Sequence, residues 1–166
     1  MKVVGKQRNS KNCFICGMEN PYSMKAQFYD MEDGSVISPI TYKSVHQGFP
    51  QRVHGGLIVT VLDELACRAN WHSGNYQLGV TTSFETKYKK PVPYDVELLG
   101  YGLVIEDKSR MFKTLAKLMD KDGTIYAEGI ATYLKMPVEK IATGYDFHEE
   151  MSYLIEDDVV EIECNI

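Results

Sequence analysis

The residues best suited to chemistry lie in the run Val53-His54-Gly55-Gly56-Leu57-Ile58-Val59-Thr60-Val61-Leu62-Asp63-Glu64, which sets a carboxylate pair inside an otherwise apolar helical pattern. A carboxylate held away from water is costly, so such a group is usually retained for a purpose. Two glycines follow His54 directly, and a helix opening there presents backbone N–H groups at its positive end, where developing negative charge is stabilised. An amide cradle at one end of a helix and an acid two and a half turns later suit attack on a carbonyl.

At about 100° per residue, Gly56, Thr60, Asp63, Cys67, Asn70 and Gly74 share a stripe of small or polar groups, and Ile58, Leu62, Leu65 and Ala69 share an apolar one. Asp63 is therefore a candidate acid on a face that something can approach closely. Its competing role is a buried acid bonded to a neighbouring strand; the preceding loop and the Gly-Gly start favour a site. Glu64 lies about 100° away, and an ion pair with Arg68 at the helix edge is its expected role. For His54 the expected role is a cap, with polarisation of a carbonyl or orientation of a substrate as the sharper alternative. His46 and His72 read as loop and helix-end residues, because no spacing here assembles a metal site. Gly55 and Asp63 are separated by about 12 Å along one helix axis. If both act on one carbonyl they must come from two subunits around a two-fold axis, so the chemistry carries an obligate dimer with it.

The elements that must hold these groups can be read outward from the helix, which spans about Gly55 to His72 and is ended by Ser73-Gly74-Asn75. Before it, Met24 to Asp30 and Val36 to Tyr42 form strands around an Asp33-Gly34 turn, and residues 46–52 form a loop. After it, Val80, Thr82, Phe84, Thr86 and Tyr88 alternate with Thr81, Ser83, Glu85, Lys87 and Lys89, the pattern of a half-buried strand, which Pro91-Val92-Pro93 stops. Val96 to Ile105, Met111 to Met119 and Thr124 to Leu134 complete an antiparallel meander with hairpin turns between them. A long helix that is apolar on most faces must be wrapped rather than merely covered. The fold class expected is α+β, a curved antiparallel sheet wrapped around a long central helix. Residues 1–137 form that domain and residues 138–166 an acidic C-terminal extension, either an appended helix at Phe147 to Ile155 or a loosely held tail.

The chain has 166 residues, 44% hydrophobic and 25% charged, an ordinary composition for one domain. Its net charge of −5 divides unevenly: residues 139–166 hold nine acids and one Lys, and the first 138 hold 17 Lys and Arg against 14 acids. The body is thus mildly positive at +3. That suits a phosphorylated small molecule and falls short of a nucleic-acid-binding stripe. No apolar run approaches a membrane span and the N-terminus lacks a signal-peptide core, so a cytoplasmic protein with no membrane partner is expected. Cys13-Phe14-Ile15-Cys16 has the spacing of half a zinc knuckle without the other half; packed thiols are the expected reading and no metal is assigned.

His54-Gly55-Gly56 followed by Asp63 resembles the signature of the hotdog-fold acyl-CoA thioesterases, the PaaI-like thioesterase superfamily, and the resemblance covers roughly Asn12 to Lys135. Cys13-Phe14-Ile15-Cys16-Gly17 with Asn20-Pro21, His46-Gln47-Gly48-Phe49-Pro50, and Tyr88-Lys89-Lys90-Pro91-Val92-Pro93 agree with it. The resemblance implies a hotdog fold, an acyl-CoA substrate and no cofactor beyond the coenzyme A that the substrate carries. It implies Asp63 as general base or nucleophile, the Gly55 N–H as oxyanion donor, and a strand hydroxyl in support, Thr81 with Thr82 as the competing choice. Gly56 and Gln47 become candidate substrate contacts, Gln47 offset by one from the family's polar position, and Lys89 and Lys90 candidate phosphate contacts. Self-association as a homodimer or a dimer of dimers follows, without nucleic acid. Two other readings of the same pocket are an acyl-thioester dehydratase or hydratase, which would need His54 and Asp63 arranged for proton transfer, and a non-catalytic acyl-CoA-binding module.

Overall fold

A computed structural model describes residues 1–74, 76–142, 144 and 146–166. Strands β1 (Val3–Lys6), β2 (Tyr29–Met31) and β3 (Val36–Thr41) precede a small ribbon of β4 (Gln47–Phe49) and β5 (Arg52–Val53). Helix α1 (Gly55–Ala69) follows, then β6 (Gly79–Tyr88), β7 (Glu97–Asp107), β8 (Met111–Met119), β9 (Ile125–Lys135) and two single helical turns, α2 (Val138–Ile141) and α3 (Phe147–Glu150). The main sheet has seven antiparallel strands in the order β1-β2-β3-β7-β8-β9-β6.

The sheet curls around α1 because the helix has apolar residues to bury in several directions. Ile58, Val61, Leu62, Leu65, Ala66 and Ala69 pack into one core with Val36, Ile40, Leu98, Phe112, Leu118, Ala131 and Tyr133 from the strands. Close approach of helix to sheet requires missing side chains on β7. A Cβ on Gly100 would lie 2.4 Å from Leu65 Cδ1, and one on Gly102 would lie 2.5 Å from the Leu65 carbonyl oxygen. The hotdog arrangement expected from the order of elements is the one observed, with the β2–β3 hairpin turning at Asp33-Gly34, where Gly34 takes φ +87°.

Five details depart from the sequence reading, the first being that the strand expected over Met24 to Asp30 is confined to Tyr29–Met31. Strand β1 was not expected; it pairs with β2 and lengthens the sheet. The segment before α1 is a short ribbon rather than a plain loop, with Gln51 at φ 62° in its turn. The helix ends at Ala69, capped by Asn70, three residues before His72; the proposed stop at Asn75 falls outside the described residues, although Ser73 and Gly74 do adopt left-handed φ. Helical structure near Phe147 stops at Glu150 instead of Ile155.

That last difference has a packing cause. Beyond α3 the chain runs extended, bridging Asn9 with Tyr153 and Lys2 with Glu161, so it can lay Ile155 and Ile162 on the sheet face opposite α1. There they join Tyr29, Ile37, Leu99, Tyr101 and Met119 in a second core. Asp157 pairs with Lys6 and accepts the Tyr29 hydroxyl at 2.7 Å. The acidic segment is held, not loose.

Gly102→Ala should lower the unfolding free energy by about 1–3 kcal/mol in urea titrations, because the added methyl meets helix backbone. Ile162→Ala should cost roughly 2 kcal/mol, whereas Val160→Ala, at a position 73% exposed, should stay within about 0.5 kcal/mol of the parent.

Candidate functional site

His54 begins the site. Its Nδ1 accepts the Gly56 N–H at 3.0 Å, and its carbonyl accepts from Leu57 and Ile58. Three of the four N–H groups of the first helical turn are therefore used, and the Gly55 N–H donates no hydrogen bond among the described residues. The preferred capping role of His54 is the one its geometry shows. Gly56, by contrast, spends its N–H on that cap. The Tyr88 hydroxyl donates to the Gly55 carbonyl at 3.1 Å, pinning the first residue of the helix to the end of β6.

Two and a half turns on, Asp63 is half-buried on the open side of α1. Its Oδ1 accepts from Thr81 Oγ1 at 3.0 Å and from the Tyr133 hydroxyl at 2.8 Å, and the same hydroxyl lies 2.9 Å from the Asp63 carbonyl oxygen. Oδ2 makes no hydrogen bond among the described residues, so one oxygen is anchored and the other is available. Burial, reinforced by the Asp63 charge, pushes the Tyr133 phenol well above its ordinary range, so it stays protonated and remains a donor. Phe112 stacks on the Tyr133 ring at 4.7 Å and fixes its plane.

Thr81 reaches Asp63 through a break in the strand pattern. Strict alternation would put Thr81 on the face opposite Phe84, away from the helix. A bulge between Thr81 and Ser83, in the pairing of β6 with β9, brings Thr81 onto the same side as Phe84 and Tyr88. Thr82 is diverted by the same bulge, and its hydroxyl bonds the Thr132 carbonyl at 2.9 Å. The alternation read from sequence is corrected there, while Thr81 rather than Thr82 is the hydroxyl beside the acid.

The remaining candidates are scattered. Gln47 lies on exposed β4 with its Oε1 3.5 Å from the Tyr94 hydroxyl. Lys89 is engaged by Glu128 at 3.0 Å, and Lys90 is exposed with no ion pair among the described residues. His46 is buried, accepting the Lys43 N–H at 2.9 Å, and His72 Nε2 lies 2.9 Å from the Met31 carbonyl oxygen, so both serve the fold. Glu64 does pair with Arg68, at 2.8 Å, but Arg68 is 1% exposed and belongs to the interior, not the helix edge. Its guanidinium lies over the rings of Phe28 and Trp71, 4.4 and 4.7 Å from their centroids.

Tyr133 and Tyr88 were not among the residues singled out from sequence as site residues. Tyr133 sits directly across the sheet from Thr81, a pairing that follows only from strand register. Tyr88 was placed on a strand face, and its contact with Gly55 needs the helix and β6 in their final positions.

Residues 51–127 match the family model described as the thioesterase superfamily. Acyl-coenzyme A thioesterase THEM4 of Mus musculus is 27% identical over 119 residues, 71% of this chain and 50% of that protein, so the chain spans about half the length of that relative. Among solved structures, the thioesterase superfamily protein RHA08564 superposes with a TM-score of 0.69 at 25% identity, over 74% of this chain and 60% of the other. A hypothetical thioesterase of Streptococcus pneumoniae TIGR4, solved with coenzyme A, gives 0.61 at 17% identity over 67% of this chain and 85% of its own, a likeness of fold.

Replacing Tyr133 by Phe removes a donor from a carboxylate and should lower the unfolding free energy by about 1.5–3 kcal/mol. Thr82→Val, at a hydroxyl that faces away from Asp63, should change the same urea midpoint much less.

Proposed function

We propose that the chain is a hotdog-fold member of the thioesterase superfamily that its residues 51–127 resemble, and that it hydrolyses an acyl-CoA, aryl or short-to-medium in its acyl part, to the free acid and coenzyme A. The observation that carries this reading is the state of the two reacting groups: Asp63 is held by one oxygen with the other unengaged, and the Gly55 N–H is the unspent donor of the helix start.

A thioester carbonyl is weakly stabilised by resonance and open to attack. Oδ2 of Asp63 serves either as the base that takes a proton from water or as the nucleophile itself. Thr81 and Tyr133 hold Oδ1 and so aim the free oxygen. As the carbonyl carbon becomes tetrahedral, charge gathers on its oxygen, and a fixed N–H at a helix N-terminus receives it without reorganisation. In the base route, collapse expels the coenzyme A thiolate, which takes back the proton Asp63 holds; in the nucleophile route it leaves an acyl–Asp63 anhydride that water hydrolyses, giving the free acid and the proton for the thiolate. Heavy-oxygen water separates the two routes: label entering the Asp63 carboxylate in single turnover marks direct attack.

These groups cannot meet on one carbonyl within one chain, since eight helical residues separate them by about 12 Å. The active unit is therefore a homodimer in which Gly55 of one subunit faces Asp63 of the other. Strand β6 supports this: it is ten residues long, lies at the sheet edge and carries exposed Thr81, Thr82 and Ser83. Gly56, Thr60 and Asp63, beside it on α1, form the one stripe of the helix left uncovered by the sheet. A second copy pairing along β6 would cover both. A dimer of dimers is the larger assembly, and Lys90, exposed and without an ion pair among the described residues, is a cation that meets a phosphate at its rim.

No helix among the described residues is long and apolar enough to cross a membrane. A titration of thiol release from aryl and short-to-long acyl-CoAs tests the activity. Asp63→Asn should lower kcat by about 100-fold or more while leaving acyl-CoA binding largely intact. Binding without turnover in the parent protein would instead identify an acyl-CoA-binding module.

A further inference from the structure

A second cluster of reactive side chains lies one helical position from the candidate acid and takes no part in the proposed hydrolysis. Cys13 and Cys16 sit in a single tight turn, closed by the Gly17 N–H donating to the Cys13 carbonyl at 2.8 Å. A Cβ on Gly17 would lie 2.4 Å from that carbonyl oxygen, so the turn depends on glycine. The two sulfurs and a carboxylate oxygen of Glu64 lie within 4.8 Å of one another.

The surroundings of the two thiols differ. Cys16 is 1% exposed, yet its sulfur accepts from the buried Arg68 guanidinium at 2.8 Å and from the Ser10 N–H at 3.5 Å. Cys13 is half-buried and accepts the Ile15 N–H at 3.3 Å, and its sulfur lies 3.8 Å from Glu64 Oε2. The hydrogen bond from Cys13 pulls Cys16 down to about 7, with the Arg68 charge assisting and burial opposing. That same hydrogen bond to Cys16, with burial and the Glu64 charge, pushes Cys13 up. The inner sulfur is thus the more acidic of the two, and the one nearer the surface keeps its proton more firmly.

A divalent cation fits this cluster poorly. Three protein donors are available, and the guanidinium that would have to share Cys16 with the metal is itself a buried cation. Disulfide closure fits better. In a helical turn, side chains three apart have Cβ atoms about 5–6 Å apart, and a modest tightening reaches the 3.5–4.5 Å or so of a disulfide.

We propose that Cys13 and Cys16 form a redox-active dithiol that is oxidised to an intramolecular disulfide by a low-molecular-weight disulfide, and that Arg68 is the positioning residue that holds Cys16 as the resolving sulfur. With Cys16 deprotonated, Cys13, the accessible member, passes its proton to that sulfur as it attacks the small disulfide. One small thiolate leaves and a mixed disulfide forms. Cys16 then gives that proton to the departed small thiolate, attacks the Cys13 sulfur and expels the second small thiolate. Two protein thiols are oxidised to one disulfide, and one small disulfide is reduced to two thiols. Closure removes the sulfur anion from Arg68, which shares α1 with Asp63 and still holds Glu64 at 2.8 Å. The dithiol therefore lies in contact with the helix that carries the candidate acid, whatever reaction that acid performs.

The test is equilibration of the full chain in buffers of reduced and oxidised glutathione, followed by acid quenching, alkylation and peptide mass analysis. The expected product has lost two hydrogens within the peptide carrying Cys13 and Cys16. Cys16→Ser should stop at a glutathione adduct on Cys13, Cys13→Ser should form neither product at Cys16, and Cys164→Ser should behave as the parent. Arg68→Lys, which keeps the charge but not the planar fork, should slow conversion of the mixed disulfide to the internal one by about 10-fold, the factor that roughly 1.4 kcal/mol represents. Both cysteines remaining free to alkylate in oxidised glutathione would overturn the proposal. So would accumulation of the adduct in the parent protein, or stoichiometric zinc that prevents closure at equilibrium.

Discussion

The whole arrangement rests on how closely one helix is drawn into a curved sheet. Leu65 meets β7 at Gly100 and Gly102, where any side chain would collide with it or with the helix backbone. That contact fixes the depth of α1, and the depth determines whether Thr81, Tyr133 and Tyr88 reach the helix at all. Hydroxyls on long strands can span only about 3 Å of hydrogen bond. A helix seated even slightly farther out would leave Asp63 without its two donors and Gly55 without its tether.

The same burial makes the polar residues of α1 informative. Ile58, Leu62 and Leu65 need no partner beyond the core, whereas Asp63, Glu64 and Arg68 each have several specific contacts. Asp63 faces the side left open by the sheet. Arg68 is enclosed between Phe28 and Trp71 and satisfied by Glu64, the Arg8 carbonyl and Cys16. Two charged stations on one helix thus have opposite settings, one bordering solvent in the single chain and one sealed. The first suits chemistry on a bound substrate. The second ties the Cys13–Cys16 turn to the helix through a guanidinium.

The acidic C-terminal segment shows how a sheet with two apolar faces is completed. Its first face closes on α1; part of its second closes on Ile155 and Ile162. From sequence this segment, with nine acids against one Lys, reads as an appended helix or a loosely held tail. The acids do stay largely outside, but the apolar residues among them are spaced so that an extended chain can bury them. Helical periodicity around Phe147 was a local signal that lost to this longer-range pairing with β1 and the residues after it.

The amino-acid sequence alone determined the order of elements, the wrapped helix and the positions on it of the candidate acid and of the glycines at its start. Those features rest on local rules: periodicity, caps and turns operate over a few residues and leave their marks in composition. It also carried the fixed separation of Gly55 and Asp63, because both belong to one helix. Only the tertiary structure decided which hydroxyls serve the acid. The bulge at Thr81 reverses the side read from alternation, and Tyr133 becomes its neighbour through the register of β6 with β9. It likewise turned Glu64 and Arg68 from a surface pair into a buried link to Cys16. Register, bulges and burial are outcomes of packing between segments distant in the chain, and no local pattern encodes them.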